Sequence, residues 1–461
     1  MEKEFRAYSL TANLYHLIVE VGTPLAIFAL FNTLFSILDT IMASHLGTID
    51  VSTVAYMAQL RMILNAIGSG LVTGSMILIN RSYGAGESAK AHELMNSLFR
   101  LMAIITLVFL ALIPFVPLIL KVISTPEEFI AEGTPYFRIL IAATAVNFLN
   151  LIYINVEKSR GNTKTIMMLN IITMVIKLIL SAFFIYVLEK GIVYIALATL
   201  ITYSLFALYS LIHLFDKRSI FSLDLPLAFK ARRDDEKRLV RISYPVAVED
   251  SAFSLGKVVV NALASSYGAE MIGALGISNN ICGIPSNFEN GFSDASSSIV
   301  SQNYGAGKYK RAVDAYKANI VITLAACLIA MCAIYILDEP LIRVFATSKD
   351  GLNPDFMSMI GQIFIYDSIS CIGIAINGAG MDFLLGLGKT KITLLLNFLK
   401  IFVLRIPVLF ILQLFIEDGA TALGVMMMIS NCGIAIPTTL ISLSVARKLI
   451  SKEENNSIVQ K

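Results

Sequence analysis

Residues 95–120 read MNSLFRLMAIITLVFLALIPFVPLIL, and the last 20 of these residues carry no charge. About 20 apolar residues in an α-helix are long enough to cross the ~30 Å hydrocarbon core of a bilayer. Inside lipid, each backbone polar group needs a partner within its own segment, which favours a helix over an open strand. This stretch therefore predicts a transmembrane helix.

Similar stretches recur along the whole chain of 461 residues, of which 56% are hydrophobic and only 15% are charged. Soluble domains average about 25% charged residues, so this composition indicates a membrane protein. We expect an all-α polytopic membrane protein with twelve spans. The predicted spans are residues 14–38, 51–79, 95–120, 135–156, 166–188, 191–214, 242–265, 271–299, 315–337, 356–380, 392–416 and 420–446.

The distribution of lysine and arginine predicts the orientation of these spans. With a cytoplasmic N-terminus, 25 basic residues fall on the cytoplasmic side, eight of them in the loop 215–241. The outer side receives only Lys121, Lys190, Arg343 and Lys349. Because cytoplasmic loops are enriched in basic residues, we expect a multi-pass protein of the cell membrane with both termini in the cytoplasm.

The two halves of the chain repeat each other. Most equivalent residues are 221 positions apart, and those beyond span nine are 227 apart. The paired positions include Pro24 with Pro245, Gly70 with Gly291, Tyr83–Gly86 with Tyr304–Gly307, and Gly161 with Gly388. The Tyr-Gly-Ala-Gly segments lack the lysine and serine or threonine of a phosphate-binding loop, so we interpret them as tight turns.

The repeat carries six spans onto six spans, and an even number preserves direction, so the halves are parallel in topology. We expect an N-terminal six-helix lobe at 1–214, a cytoplasmic linker at 215–241 and a C-terminal six-helix lobe at 242–461. Repeats of this kind often hold a substrate site at their interface near mid-membrane.

Charged residues within the spans are candidates for function, since each costs roughly 2.5–3.5 kcal/mol at a span centre. Asp39 is the leading candidate for exchanging a proton or binding a cation; a structural hydrogen bond at a helix end is the alternative. Pro24 lies on the same span and removes a backbone hydrogen bond, so we expect a kink there, either static or a bending point. Other polar span residues are candidates for lining a substrate cavity: Gln59, Arg61, Asn65, Lys177, Lys257, Glu289, Asp294, Lys400 and Arg405.

Four motifs together carry a family resemblance. They are Asp39-Thr40-Ile41-Met42-Ala43 followed by Leu46-Gly47, the paired Tyr-Gly-Ala-Gly segments, Gly386-Leu387-Gly388-Lys389-Thr390, and Arg405-Ile406-Pro407. The chain resembles the multidrug and toxic compound extrusion (MATE) family over nearly its whole length. The resemblance implies two six-helix lobes forming a V around a central cavity. It also implies secondary active export of small organic, amphipathic compounds in exchange for H⁺ or Na⁺, with no other cofactor.

The sequence also departs from the family pattern. Many members have an aspartate in span five near the position of Ser181, and members with a Na⁺ site in the second lobe often have a glutamate at the position of Phe253. Glu249, Asp250 and Asp367 are candidates for a substitute cation site in the second lobe. Alternatively, Lys257 neutralises that face.

Other functions are alternatives to cation-coupled export. Within the same superfamily, the basic span residues also suit a flippase or exporter of lipid-linked or anionic substrates. An intramembrane enzyme is disfavoured, because the four histidines lack metal-ligand spacing and no Gly-x-Ser-x-Gly motif is present. A net charge of +3 gives no reason to expect nucleic acid. We expect a monomer whose partners are a small-molecule substrate and the bilayer, with no metal beyond a possible Na⁺.

Overall fold

The structure is a computed structural model that describes the backbone of residues 2–44, 46, 48–123, 125–348, 351–352 and 354–459. Side chains are described over the same residues except 2–4, 33–41, 43–44, 48–49, 51, 55, 265, 269–270, 272, 337–348, 351–352 and 456–459.

Most of the described residues are helical. The α-helices are α1 (Glu2–Thr11), α2 (Leu14–Ser44), α3 (Thr48–Ala85), α4 (Ser88–Leu112), α5 (Val116–Val122), α6 (Glu127–Ser159), α7 (Thr163–Ala182), α8 (Val193–Leu214), α9 (Leu225–Phe229), α10 (Arg233–Ala264), α11 (Ala269–Gly305), α12 (Tyr309–Ala346), α13 (Pro354–Gly386), α14 (Thr390–Phe398), α15 (Ile406–Phe415) and α16 (Gly419–Val459). Short 3₁₀ segments are Ile113–Phe115 and Ser265–Tyr267, and π-helical segments are Phe183–Val187 and Leu399–Arg405. A small antiparallel pair is formed by β1 (Thr347–Ser348) and β2 (Gly351–Leu352), with Thr347 opposite Leu352.

The twelve predicted spans coincide with twelve long helical segments, which confirms the all-α fold. Ten of these segments in the described residues are long and apolar enough to cross a membrane. The other two, α10 and α11, are 32 and 37 residues long. They are more polar because α10 carries Glu249, Asp250 and Lys257, and α11 carries Glu289 and Asp294 as well as several asparagines and serines. The charged residues that lower the hydrophobicity of α10 and α11 are therefore among those predicted to line a site.

The Tyr-Gly-Ala-Gly segments close α3 and α11 with the same turn. The amide of Gly86 donates to the carbonyl of Tyr83 at 3.1 Å, and that of Gly307 donates to Tyr304 at 3.1 Å. Both glycines have positive φ angles, +85° and +75°, which side chains with a Cβ rarely adopt. This geometry is a Schellman helix end, so the prediction of tight turns is confirmed.

The chain forms two compact units whose residue ranges differ from those of the predicted lobes. The first contains residues 1–7 and 31–251, and the second contains 8–30 and 252–461. The linker and the start of α10 thus belong to the first unit, whereas the first half of α2 belongs to the second. The borders at Leu30 and Ser251 are equivalent under the 221-residue repeat, and each lies six residues beyond a proline, Pro24 or Pro245.

Glycines explain why these helix halves pack where they do. In the first unit, a Cβ on Gly70 of α3 would lie 2.4 Å from the backbone of Ala247 on α10. In the second unit, a Cβ on Gly291 of α11 would lie 2.1 Å from the backbone nitrogen of Ala26 on α2. Both pairs are equivalent under the repeat, so each glycine permits close backbone contact with a helix from the opposite half of the sequence.

Apolar side chains fill the centre of the second unit. Buried residues of this cluster come from α10, α11, α12, α13, α15 and α16 and include Val260, Leu275, Ile363, Leu409 and Met426. Tight packing of this kind fixes the orientation of helices that also carry charged side chains.

Candidate functional site

A carboxylate lies on the buried face of α13 in the second unit. Ile360, Phe364, Asp367 and Cys371 recur at helical spacing, and all four are buried. Asp367 is only 2% exposed. Burial of a carboxylate among apolar residues is costly unless hydrogen bonds or charges compensate it, so its partners decide its role.

A hydrogen-bonded chain connects Asp367 with Arg405. The hydroxyl of Ser370 lies 2.7 Å from Asp367 Oδ1, and Asn431 Nδ2 donates to Ser370 Oγ at 3.0 Å. Arg405 Nη2 donates to Asn431 Oδ1 at 3.0 Å, and Arg405 Nε donates to Ser430 Oγ at 3.3 Å. Two buried charges are therefore linked through neutral side chains of α13 and α16.

The π-helical segment Leu399–Arg405 supplies two cations to the same region. Lys400 lies near its start and Arg405 at its end, between α14 and α15. Insertions of π-helix change the direction of the side chains that follow and are frequent at functional sites. Lys400 is within electrostatic range of Lys257, Arg405, Asp367 and Glu289.

Two lysines share one aromatic ring. The Nζ atoms of Lys257 and Lys400 lie 4.9 Å and 5.8 Å from the ring centre of Phe253. Phe253 and Lys257 are one turn apart on α10, and Lys257 is exposed while Lys400 is half-buried. Among the residues whose side chains the structure describes, no carboxylate forms an ion pair with either lysine.

Glu289 is a second buried carboxylate of this unit. It lies in the middle of α11 and is 2% exposed. A Cβ on Gly378 of α13 would lie 2.6 Å from Glu289 Oε1, so this glycine makes room for the carboxylate. Within the described part of the chain, no side chain donates a hydrogen bond to Glu289.

The cluster of the second unit consists of Phe253, Lys257, Glu289, Asp367, Lys400 and Arg405, together with the polar links Ser370 and Asn431. Sequence analysis identified the five charged members but missed Ser370, Asn431 and the position of Phe253 between two lysines. The run Tyr366-Asp367-Ser368-Ile369-Ser370 and the pair Ser430-Asn431 within an apolar span were signals that could have found them.

The first unit holds a smaller polar group. Ser69 Oγ donates to Asp250 Oδ2 at 3.3 Å, which links α3 to α10. On α3, the Nε of Arg61 and the Oδ1 of Asn65 are buried without a hydrogen-bond partner among the described residues. Three other predicted cavity residues lie outside these two polar groups: Gln59 is exposed on α3, Lys177 is half-buried on α7, and Asp294 is exposed on α11 in the second unit.

The predicted ion-coupling acids are divided between the units. Glu249 and Asp250 belong to the first unit and Asp367 to the second, so neither unit brings all three together. Asp39 lies in α2, but its side chain is outside the described side chains. Glu289 was predicted only as a cavity residue, but it resembles Asp367 in two respects. Both acids are buried, and both belong to the second unit.

Comparison with known proteins agrees with this architecture. The family model MatE matches residues 24–183 and again residues 245–411, once in each half of the chain. The two matches cover more than half of the 461 residues and reproduce the internal repeat.

Individual relatives are distant but cover most of the chain. A probable multidrug resistance protein NorM of Thermotoga maritima is 23% identical over 84% of this chain and 83% of its own length. The multidrug export protein MepA of Staphylococcus aureus (strain NCTC 8325 / PS 47) is 20% identical over 90% of each chain. A crystal structure of a MATE protein in complex with MaL6 has a TM-score of 0.91, 19% identity, and covers 96% of this chain and 99% of that one. The chain therefore belongs to the MATE family of multidrug efflux transporters.

Proposed function

We propose that this protein is a cation-coupled secondary active antiporter that exports small organic, amphipathic compounds by alternating access, with H⁺ or Na⁺ as the coupling ion. The observation that carries the proposal is the pair of carboxylates Glu289 and Asp367, each 2% exposed within membrane-spanning helices. Acids at such positions are rare without a role in ion or proton pathways.

Asp39 is proposed as the main coupling residue. It lies on α2, the same helix as Pro24, and a cation bound or released there would be accompanied by bending at the proline. The proton affinity of a carboxylate depends on its burial and on neighbouring charges, so one acid can load on one side of the membrane and release on the other. Rocking of one half against the other would alternate its access.

A second candidate is export of anionic substrates, or a flippase of lipid-linked ones. The observation that favours it is the pair Lys257 and Lys400 around Phe253, which form no ion pair with a carboxylate among the described side chains. Such cations suit phosphate or carboxylate groups. The two candidates share the transport mechanism and differ in the charge of the substrate.

Flux in proteoliposomes tests the proposal. The purified protein is reconstituted, H⁺ and Na⁺ gradients are imposed separately, and movement of ethidium and of para-nitrobenzenesulfonate is measured. We expect substrate movement against at least one of the two ion gradients and none without a gradient. Transport at equal rates with and without both gradients would contradict ion coupling.

The proposed orientation places both termini and the loop 215–241 in the cytoplasm. Contacts within each unit support the placement of these segments on the same side of the membrane as the other predicted cytoplasmic loops. In the first unit, Lys90 Nζ lies 2.8 Å from Asp235 Oδ1 of the loop, and Arg6 Nη2 donates to the carbonyl of Gly84 at 3.1 Å. In the second unit, the amide of Lys310 donates to Glu453 near the C-terminus.

Cysteine labelling checks this orientation. In a variant without native cysteines, we expect an impermeant maleimide to label Lys190→Cys in intact cells and to leave Lys217→Cys unlabelled until the cells are opened. Lys190 precedes α8 on the predicted outer side and serves as the matched control. Ready labelling of Lys217→Cys from outside would overturn the topology.

We also predict that Lys177 neutralises Asp39 within the first unit, because a lysine in a membrane helix is costly without a counter-charge. Single replacements, Asp39→Asn or Lys177→Gln, should each impair folding or transport. The double variant should recover part of the yield of folded protein that is lost in Lys177→Gln, measured by size-exclusion chromatography. A double variant worse than either single one would exclude the pairing.

A further inference from the structure

We propose that Phe253, Lys257 and Lys400 form a binding site for an amphipathic organic anion, which would make organic anions the substrate class of this transporter. The two ammonium groups would hold the anionic group, and the aromatic ring would contact the apolar body. This assignment rests on the proposed transport function and decides between its two candidates in favour of an anionic substrate.

Close packing of α10 against the π-helical segment Leu399–Arg405 brings Lys257 and Lys400 near each other. A Cβ on Gly256 of α10 would lie 2.6 Å from Ile401 Cγ2 in the π-helical segment. Lys257 follows this glycine and Lys400 precedes this isoleucine, so the close contact sets both side chains beside the same ring. Both nitrogen atoms lie within 6 Å of the ring centre of Phe253, so their separation is at most about 11 Å.

The charges nearby compensate these lysines only in part. Lys400 is within electrostatic range of the cations Lys257 and Arg405 and of the acids Asp367 and Glu289. Three cations thus meet two acids, and among the described residues neither acid forms an ion pair with a lysine. Arg405 is already bonded to Ser430 and Asn431, and Asp367 is bonded to Ser370. Among the described residues, the cations of the cluster that have neither a hydrogen bond nor an ion pair are therefore Lys257 and Lys400.

An anion between the lysines would relieve an unfavourable arrangement. Like charges that share one ring repel each other, and a cation in a membrane helix is costly without a counter-charge. An anionic group can accept hydrogen bonds from both ammonium groups, and such charge-assisted bonds are stronger than neutral ones. The Phe253 ring offers an apolar surface directly beside these donors, so the site suits an anion that carries an aromatic or apolar body.

The chain contains no tryptophan, which allows a direct binding test at the site. Phe253→Trp places a single tryptophan, which can be excited selectively over tyrosine, where the ring lies. The change preserves attraction to the lysines, since indole binds cations at least as well as phenyl. The purified full-length variant in detergent is titrated with two nitroaromatic quenchers of matched size and opposite charge. These are para-nitrobenzenesulfonate and para-nitrobenzyltrimethylammonium.

We expect saturable quenching by the sulfonate and at least tenfold weaker apparent affinity for the ammonium compound. Adding Lys257→Gln or Lys400→Gln to Phe253→Trp should weaken sulfonate binding about tenfold each. Replacement with arginine at either position should restore much of the affinity, which separates the role of charge from loss of folding. Lys452→Gln is the matched control, because Lys452 Nζ also lies 4.9 Å from an aromatic ring, that of Tyr309, but outside the cluster.

Equal or tighter binding of the ammonium compound would overturn the proposal, as would sulfonate affinity that survives both glutamine replacements. Repeating the titration in nanodiscs distinguishes sources of the anion: competition by phosphatidylglycerol but not phosphatidylcholine would identify a lipid headgroup, and no competition would identify a soluble anion. Binding needs no ion gradient, so anion binding without gradient-driven flux would reject only the coupled-export proposal.

Discussion

Replacement of Asp39 by asparagine is expected to abolish ion-driven export while largely preserving folding and equilibrium substrate binding. Asparagine has nearly the same shape as aspartate but carries no charge and cannot exchange a proton at physiological pH. Flux under a defined ion gradient in proteoliposomes should fall to the level of liposomes without protein. Wild-type export rates in this variant would place the coupling elsewhere, most directly at Asp367 and Glu289.

The controls for this experiment come from α2 itself. Glu20 is exposed and accepts a hydrogen bond from the Tyr8 hydroxyl at 2.9 Å, so its place on α2 needs no role in coupling. Glu20→Gln should therefore retain export, and Asp39→Glu should retain part of it.

Val260 is a poor control, although it is the counterpart of Asp39 under the repeat. From the sequence alone, Val260→Asn is expected to be mild, because valine cannot exchange a proton or bind a cation. Val260 is 5% exposed within the apolar cluster of the second unit, however, and an unpaired buried amide costs about 1–3 kcal/mol. We now expect Val260→Asn to lower stability, which would obscure its effect on coupling.

Gly291→Ala is expected to be the most destabilising single-methyl change in the second unit. The added Cβ would lie 2.1 Å from the backbone nitrogen of Ala26, and backbone cannot move aside as a flexible side chain can. Overpacking typically costs about 1–3 kcal/mol, and a backbone clash belongs at the upper end. The apparent melting temperature and the monodisperse fraction in detergent should both fall.

Gly276→Ala in the same helix provides the matched control. A Cβ at this position meets no atom within 4 Å, so the change should be neutral or stabilising by up to about 1 kcal/mol. Gly70→Ala should reproduce the loss in the first unit, because its Cβ would lie 2.4 Å from the backbone of Ala247. Equal melting temperatures for Gly291→Ala and Gly276→Ala would refute the close helix contact.

Much of the fold was predictable from local features of the sequence. Apolar stretches such as 101–120 specify helices because a bilayer leaves no other way to satisfy the backbone. Gly86 and Gly307 end their helices as predicted, because glycine has no Cβ and readily adopts the positive φ angle that such a helix end requires. The internal repeat predicted the two matched halves because equivalent residues impose equivalent helices.

The candidate site was predictable only in part. A charge in an apolar span stands out in any sequence, so the sequence alone predicts five members of the site: Lys257, Glu289, Asp367, Lys400 and Arg405. Their partners were not, because Asn431 links Arg405 to Ser370 across helices that are far apart in the sequence. Which charges compensate one another depends on the distances between side chains of different helices. The periodicity within one helix does not encode those distances.

The sequence by itself determined that this protein is a twelve-helix membrane protein with two parallel halves, because hydrophobicity, helix length and repeated motifs are local quantities. Only the tertiary structure decided that the first half of α2 joins the second unit and the start of α10 the first. Gly291 and Gly70 allow this exchange, since the missing Cβ lets the backbones of Ala26 and Ala247 approach. Close packing between distant helices is a property of pairs of surfaces, and a pattern along one chain segment does not specify its partner.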